Sequence, residues 1–223
     1  MTNDVIRAAA TAVIVRNHKE GLETLLLRRH AQLKVGGGHW VFPGGTIDAE
    51  DYLGTESEQQ AAQVAAVRET QEEAGLSLVK ENFTLLSHWT TPPAMGRRFA
   101  TWFFLVEGGN EPVVVDGEEM DDFCWAKPRY FLDLHHRGEL ALMPPTVVTL
   151  TELAACSAHL DAQRFYATRK VPFFEPIISS HNDKVCMLYD GDAGYSDEAP
   201  DINGPRNRCY LNNGAWHYEF SAE

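Results

Sequence analysis

Apolar runs broken by polar, glycine-rich and proline-rich turns mark out the elements along the chain. Residues 8–16 are small, apolar and β-branched, and residues 23–29 (Glu-Thr-Leu-Leu-Leu-Arg-Arg) follow a polar turn at Asn17–Gly21, which predicts two successive strands. A flexible Val35-Gly36-Gly37-Gly38-His39 loop leads to a short apolar strand, Trp40–Phe42, ended by Pro43-Gly44-Gly45. The polar, acidic stretch from Thr46 to about Glu56 reads as a loop. Composition then turns helical from Ser57 to Ala74, with small apolar contacts from Ala61, Ala62, Val64, Ala65 and Val67 and a stop at Gly75. Residues 83–90 and 99–106 predict strands around a proline-rich basic turn, and a further strand passes through Phe123, Cys124 and Trp125. Pro128 starts a short helix, a position that suits proline, and residues 145–159 predict another. From Val171 onward the chain is rich in Gly, Pro, Asp and Asn, which predicts strands and long loops. Mixed strands with flanking helices give an α/β sandwich, with 1–160 as the main domain and 161–223 as an extension packed on it.

Composition narrows the function classes. The net charge of −13 opposes binding to nucleic-acid backbones and anionic membranes. No apolar run reaches bilayer-spanning length, and the first ten residues do not read as a signal peptide. The four cysteines, Cys124, Cys156, Cys186 and Cys209, are widely spaced, which favours reduced structural thiols and a cytoplasmic setting over a disulfide framework or a zinc site. Asp190–Gly194 lacks the acid spacing of a calcium loop and reads as a turn.

The chemistry is concentrated in residues 68–76, Arg-Glu-Thr-Gln-Glu-Glu-Ala-Gly-Leu. On a helix Glu69, Glu72 and Glu73 stand at i, i+3 and i+4 and share one face. Three carboxylates so close repel one another, and a hard cation relieves that repulsion. Mg²⁺ and Mn²⁺ prefer oxygen ligands. Arg68 lies four residues before Glu72 and can pair with it. Taken alone, three glutamates are better read as a solvated acidic face. The Pro43-Gly44-Gly45 turn upstream adds a second element, because glycine lets backbone approach a ligand closely, and a carbonyl there can complete a metal shell.

With these residues the chain resembles the Nudix hydrolase family, whose signature reads G-x5-E-x7-R-E-U-x-E-E-x-G-U, with U a bulky apolar residue. The second half matches at Arg68–Leu76 with Thr70 at the apolar position. The first half departs, since Gly45 is too far from Arg68 and an insertion must lie between Asp48 and Gln59. Counting back from Arg68 places Gln60 at the first signature glutamate. The resemblance implies a Nudix fold, a three-layer α/β/α sandwich with a mixed sheet. It implies that Glu69, Glu72 and Glu73 bind Mg²⁺ or Mn²⁺ with the help of a Gly44 or Gly45 carbonyl, that Arg68 orients them, and that water attacks one phosphorus of a diphosphate. For the general base the choice falls on Glu119, within the acidic run Asp116, Glu118, Glu119, Asp121 and Asp122.

Further segments resemble the coenzyme A diphosphatase branch, in its peroxisomal-type subgroup and bacterial relatives: residues 25–29 with Leu33 and 41–48, then 88–92, 97–104, Gly138-Glu139-Leu140 and Pro144-Pro145-Thr146. The implied substrate is coenzyme A or an acyl derivative. Arg28, Arg29, Arg97 and Arg98 are candidate phosphate contacts, and Trp89, with Trp102 and Phe99, a candidate adenine platform, although strand aromatics more often belong to the core. Two alternatives stand beside this reading. One is the same chemistry on ADP-ribose, NADH or a dinucleotide; the other is a Nudix-fold binding module without turnover. The tail could cap the substrate site or build a homodimer.

Overall fold

The computed structural model describes residues 5–109, 111–181 and 184–221. Its first sheet is built on β1 (Ile6–His18), which pairs antiparallel with β2 (Gly21–Arg29) and parallel with β6 (Arg98–Glu107). The short strand β3 (Trp40–Val41) extends the β2 edge, and β4 (Gly44–Thr46) takes over the β1 edge where β2 leaves it. Antiparallel to β6 runs β5 (Thr84–Thr90); β7 (Met120–Ala126) pairs with β2, and β8 (Phe173–Phe174) runs parallel to β5.

Side-chain alternation along β1 divides the core. Ala10, Ala12 and Ile14 face one layer with Leu25, Leu27 and Phe104, against Ala62, Ala65 and Ala66 of α1 (Glu58–Ala74). Val13 and Val15 face the other with Leu22 and Leu26. There they meet Phe131 and Leu132 of α2 (Pro128–His136), Val147 and Leu150 of α3 (Pro144–Leu153), and Tyr166 of α4 (His159–Thr168). The result is a three-layer α/β/α sandwich with a mixed sheet, as expected. Alanines on the buried face of α1 let the helix lie close to the strands, which brings its glutamates down to the β4 backbone.

A second antiparallel sheet follows, ordered β12 (Ala215–Ser221), β11 (Arg206–Asn212), β10 (Lys184–Leu188), β9 (Ile177–His181). It joins the α2–α3 layer through Met187, Tyr189 and Cys209. His135, in the last turn of α2, is buried and ties the two parts together. Its Nε2 accepts from the Trp216 N–H at 2.8 Å, and its Nδ1 faces the Leu140 carbonyl at 3.2 Å. The turn at Asp190–Gly194 holds a buried ion pair, Asp192 with Arg208 at 2.5 Å. All four cysteines are free thiols.

Two element expectations need correction. The helix expected over 145–159 ends early, and a second helix that was not expected, α4, follows it. The first stops at Leu153, and the second starts at His159, whose N–H donates to Asn17 Oδ1 at 2.8 Å in place of a local cap. The expected loop from Thr46 carries a 3-10 turn, Ala49–Tyr52, closed by a capping box between Asp48 and Asp51. Ser57, by contrast, is the N-cap of α1 and Gly75 its left-handed C-cap, with φ 68°. The buried Thr70 at the signature's apolar position satisfies its hydroxyl within the helix, donating to the Ala66 carbonyl at 2.7 Å.

Candidate active site

The site forms where the C-terminal half of α1 crosses β4. Gly45 has no room for a side chain, since a Cβ there would collide with the Glu69 carboxylate. Gly44 donates its N–H to Glu73 Oε2 at 2.9 Å. The Pro43-Gly44-Gly45 turn therefore places bare backbone directly against two of the three signature glutamates.

Arg68 is the organiser of this face. Its Nε and Nη2 donate to Asp51 at 3.2 and 2.9 Å, and Nη2 also reaches the Thr46 carbonyl at 3.0 Å. Its Nη1 donates to Glu69 at 2.9 Å and to Glu72 at 3.1 Å, the second being the expected i, i+4 pair. The Asp51 hydrogen bond is the foremost cause of an Arg68 pKa above the ordinary arginine value. Burial works to raise the Asp51 carboxyl, but the Arg68 and Asp48 hydrogen bonds outweigh it and the group ends below its usual value.

Asp51 is the residue that sequence reasoning missed. Counting back from Arg68 gave Gln60 as the counterpart of the first signature glutamate. In the structure Gln60 is an exposed residue of the first turn of α1, and its side chain accepts the Glu56 N–H at 2.7 Å, away from Arg68. The signal was present in the other direction, because Asp51 stands after Gly45 and five intervening residues, as the signature glutamate does. The insertion thus lies between Asp51 and Arg68.

Burial sets the electrostatics. Glu73 is 4% exposed. That burial pushes its carboxyl up to about 8, opposed by the Gly44 N–H and by Arg29, and reinforced by the charges of Glu69 and Glu119. Burial also raises Glu69, against the pull of Arg68 and with the push of Glu72 and Asp48. Glu72 is exposed and turned to Arg68. Among the described residues, no three His, Cys, Asp or Glu side chains are gathered as a ready metal-ligand set. The donor chemistry still fits a hard divalent cation: it is all oxygen, and its negative charge is buried beyond what Arg68 and Arg29 offset.

Of the other candidates, Glu119 and Arg29 belong to this cluster. Arg29 Nη2 lies 3.7 Å from Glu119 Oε2, and both act on the Glu73 carboxylate. Arg28 is already engaged, with Nε 2.6 Å from Asp121 and Nη1 3.6 Å from Asp122. Arg97 and Arg98 stand apart. Arg98 pairs with Ile6 across β1, whereas Gly45 pairs with Ala10. That offset is roughly 13 Å along the strand and roughly 10 Å across it. Trp89 is a core residue, not an adenine platform: it is 4% exposed and stacks on Phe174 with ring centroids 3.9 Å apart. Trp102 donates its indole N–H to Glu58 at 3.0 Å, at the far end of α1.

Comparison with known proteins bears on this geometry. The NUDIX domain family model matches residues 6–143. A Caenorhabditis elegans protein named nudix hydrolase 7 is 27% identical over 229 residues, covering 86% of this chain and 75% of that protein. The acyl-coenzyme A diphosphatase NUDT19 of Xenopus laevis is 26% identical over 135 residues, which is 57% of this chain and 35% of that one. The crystal structure of a NUDIX hydrolase from Alicyclobacillus acidocaldarius superposes with a TM-score of 0.65 at 25% identity, covering 75% of this chain and 100% of that chain. No helix among the described residues is long and apolar enough to cross a membrane. Since the family match spans more than half of the chain and encloses the whole carboxylate site, the protein belongs to the Nudix family and is a Nudix diphosphatase, a hydrolase of pyrophosphate linkages.

Proposed function

We propose that this enzyme hydrolyses the diphosphate of coenzyme A or an acyl-coenzyme A, releasing 3',5'-ADP and a 4'-phosphopantetheine product. The observation that carries the catalytic reading is Glu73, buried against Gly44 beside Glu69 and raised to about 8, a carboxylate whose charged form needs a cation. Nudix hydrolases use divalent metal ions. Glu69, Glu72, Glu73 and the Gly45 carbonyl are the groups that would hold Mg²⁺ or Mn²⁺. When bound, such an ion neutralises phosphate charge and lowers the pKa of water. Arg68, anchored by Asp51, fixes the bearing of Glu69 and Glu72. Glu119 takes the proton of the attacking water as its oxygen bonds to one phosphorus; the bond to the bridging oxygen breaks, and the departing phosphate keeps that oxygen and the electron pair. Arg29, beside Glu119, is the arginine best placed for a substrate phosphate.

Support for the coenzyme A assignment comes from the acyl-coenzyme A diphosphatase relative and from the branch-like segments around Val41–Asp48 and 97–104. We also propose that residues 161–223 form an extension on a 1–160 catalytic unit, held by the His135–Trp216 contact and by Arg169 paired with Glu152 at 2.6 Å. The test is mass-spectrometric product analysis with Mg²⁺ or Mn²⁺ and a panel of coenzyme A, acetyl-coenzyme A, ADP-ribose, NADH and a diadenosine polyphosphate. Release of 3',5'-ADP from the coenzyme A compounds is expected. Cleavage of ADP-ribose or NADH alone would overturn the coenzyme A assignment while keeping the chemistry.

A further inference from the structure

The turn that carries Glu119 is built differently from an ordinary acidic surface loop. One oxygen of Asp116 accepts three successive backbone N–H groups, from Glu118 at 2.5 Å, Glu119 at 2.7 Å and Met120 at 3.1 Å. Gly117, with φ +76° in the left-handed region that glycine tolerates, donates its own N–H to the Met120 carbonyl at 2.9 Å. The Glu119 carbonyl in turn accepts the His30 N–H at 2.7 Å, just past the end of β2. Both backbone groups of Glu119 are thereby fixed, one by Asp116 and one by the sheet. The side chain remains exposed, 3.7 Å from Arg29 and within electrostatic reach of Glu73.

We infer that Asp116 is a positioning residue whose carboxylate holds the 116–120 turn so that Glu119 stays aimed at the Glu73 side of the site. This rests on the reading of Glu119 as the general base. An ionised carboxylate makes charge-assisted hydrogen bonds roughly twice as strong as neutral ones, and three N–H groups converging on one oxygen use that charge. Asp116 is itself exposed and touches neither Glu69, Glu72 nor Glu73 through any of these bonds. Its loss leaves the three N–H groups to water on a surface turn. The fold survives this, but the register of Glu119 does not, and a displacement of about 1 Å in a catalytic group can reduce turnover about 10²-fold.

The experiment uses the full chain as wild type, Asp116→Ala, Asp116→Asn, Glu119→Gln and the Asp116→Ala/Glu119→Gln double variant. Kinetics are run on coenzyme A and ADP-ribose with Mg²⁺, and amide hydrogen exchange is measured on the metal-free proteins. Asp116→Ala is expected to speed exchange at the 118–120 amides and lower kcat about 10- to 100-fold, with KM nearly unchanged. Asp116→Asn, which keeps an acceptor oxygen but loses the charge, is expected to restore part of both and to fall between Asp116→Ala and wild type. In the Glu119→Gln background the alanine substitution is expected to cost nothing further. An equal cost in both backgrounds, or unchanged exchange at 118–120 in Asp116→Ala, overturns the positioning role while leaving Glu119 as base. Wild-type turnover by Glu119→Gln overturns the Glu119 reading and this inference with it.

Discussion

Glu73→Gln separates the electrostatics of the site from its catalysis. The glutamine keeps the shape of the side chain and an oxygen able to accept the Gly44 N–H, and it removes the charge. In the metal-free protein Glu73 is displaced from 4.5 to about 8, chiefly by burial. Each pKa unit corresponds to about 1.4 kcal/mol, so the displacement is worth at most about 5 kcal/mol. The folded state binds the proton more tightly than the unfolded state. Its stability is therefore full below pH 4.5 and falls as pH rises through about 8. Glutamine does not titrate and carries no such loss. Urea unfolding in chelator at pH 4, 6.5 and 9 is expected to show the two proteins converging at pH 4 and the variant clearly more stable at pH 9. A domain of this size gains about 2–4 °C in Tm per kcal/mol, so thermal unfolding should show the same order. Excess Mg²⁺ is expected to stabilise the wild type at pH 9 and the variant hardly at all, while turnover by the variant falls by orders of magnitude. Parallel pH profiles for the two proteins, or a variant less stable at pH 9, would show that the buried Glu73 charge does not destabilise the metal-free fold.

Three further perturbations test other parts of the site and the fold. Gly45→Ala forces a Cβ into the Glu69 carboxylate, and titration calorimetry is expected to show weakened Mg²⁺ binding. Asp51→Asn removes the charge that anchors Arg68, and is expected to lower kcat about 10-fold or more, whereas Gln60→Ala is expected to be near wild type; the opposite ranking would return the signature role to Gln60. Asp192→Asn strips the charge partner from buried Arg208, and urea unfolding is expected to show a loss of about 3–5 kcal/mol with kcat retained.

The legible parts of the fold were those with local signals. The strand pattern of β1 and β2 and the helix 57–74 carry their own periodicity and caps, and the i, i+4 pairing of Arg68 with Glu72 follows from helix geometry alone. The break between α3 and α4 was not legible, because the cap of α4 is Asn17, 142 residues away in sequence. The same holds for His135, whose partner is a backbone N–H 81 residues downstream. Trp89 shows a second limit: an aromatic in a strand does not reveal which face of the sheet it takes, and the β5 register shift between Leu85 and Ser87 decides the faces that follow. Asp51 was legible from Gly45 but hidden from Arg68, since an insertion preserves spacing only on its near side.

The proposed reaction is hydrolysis of a coenzyme A-type diphosphate driven by a metal-binding carboxylate face on α1. Its most direct test is the product analysis on purified wild type and Glu73→Gln with coenzyme A and Mg²⁺. Wild type is expected to release 3',5'-ADP and the variant almost none. Equal product from both proteins, or none from the wild type with coenzyme A while ADP-ribose is cleaved, would contradict the proposed reaction.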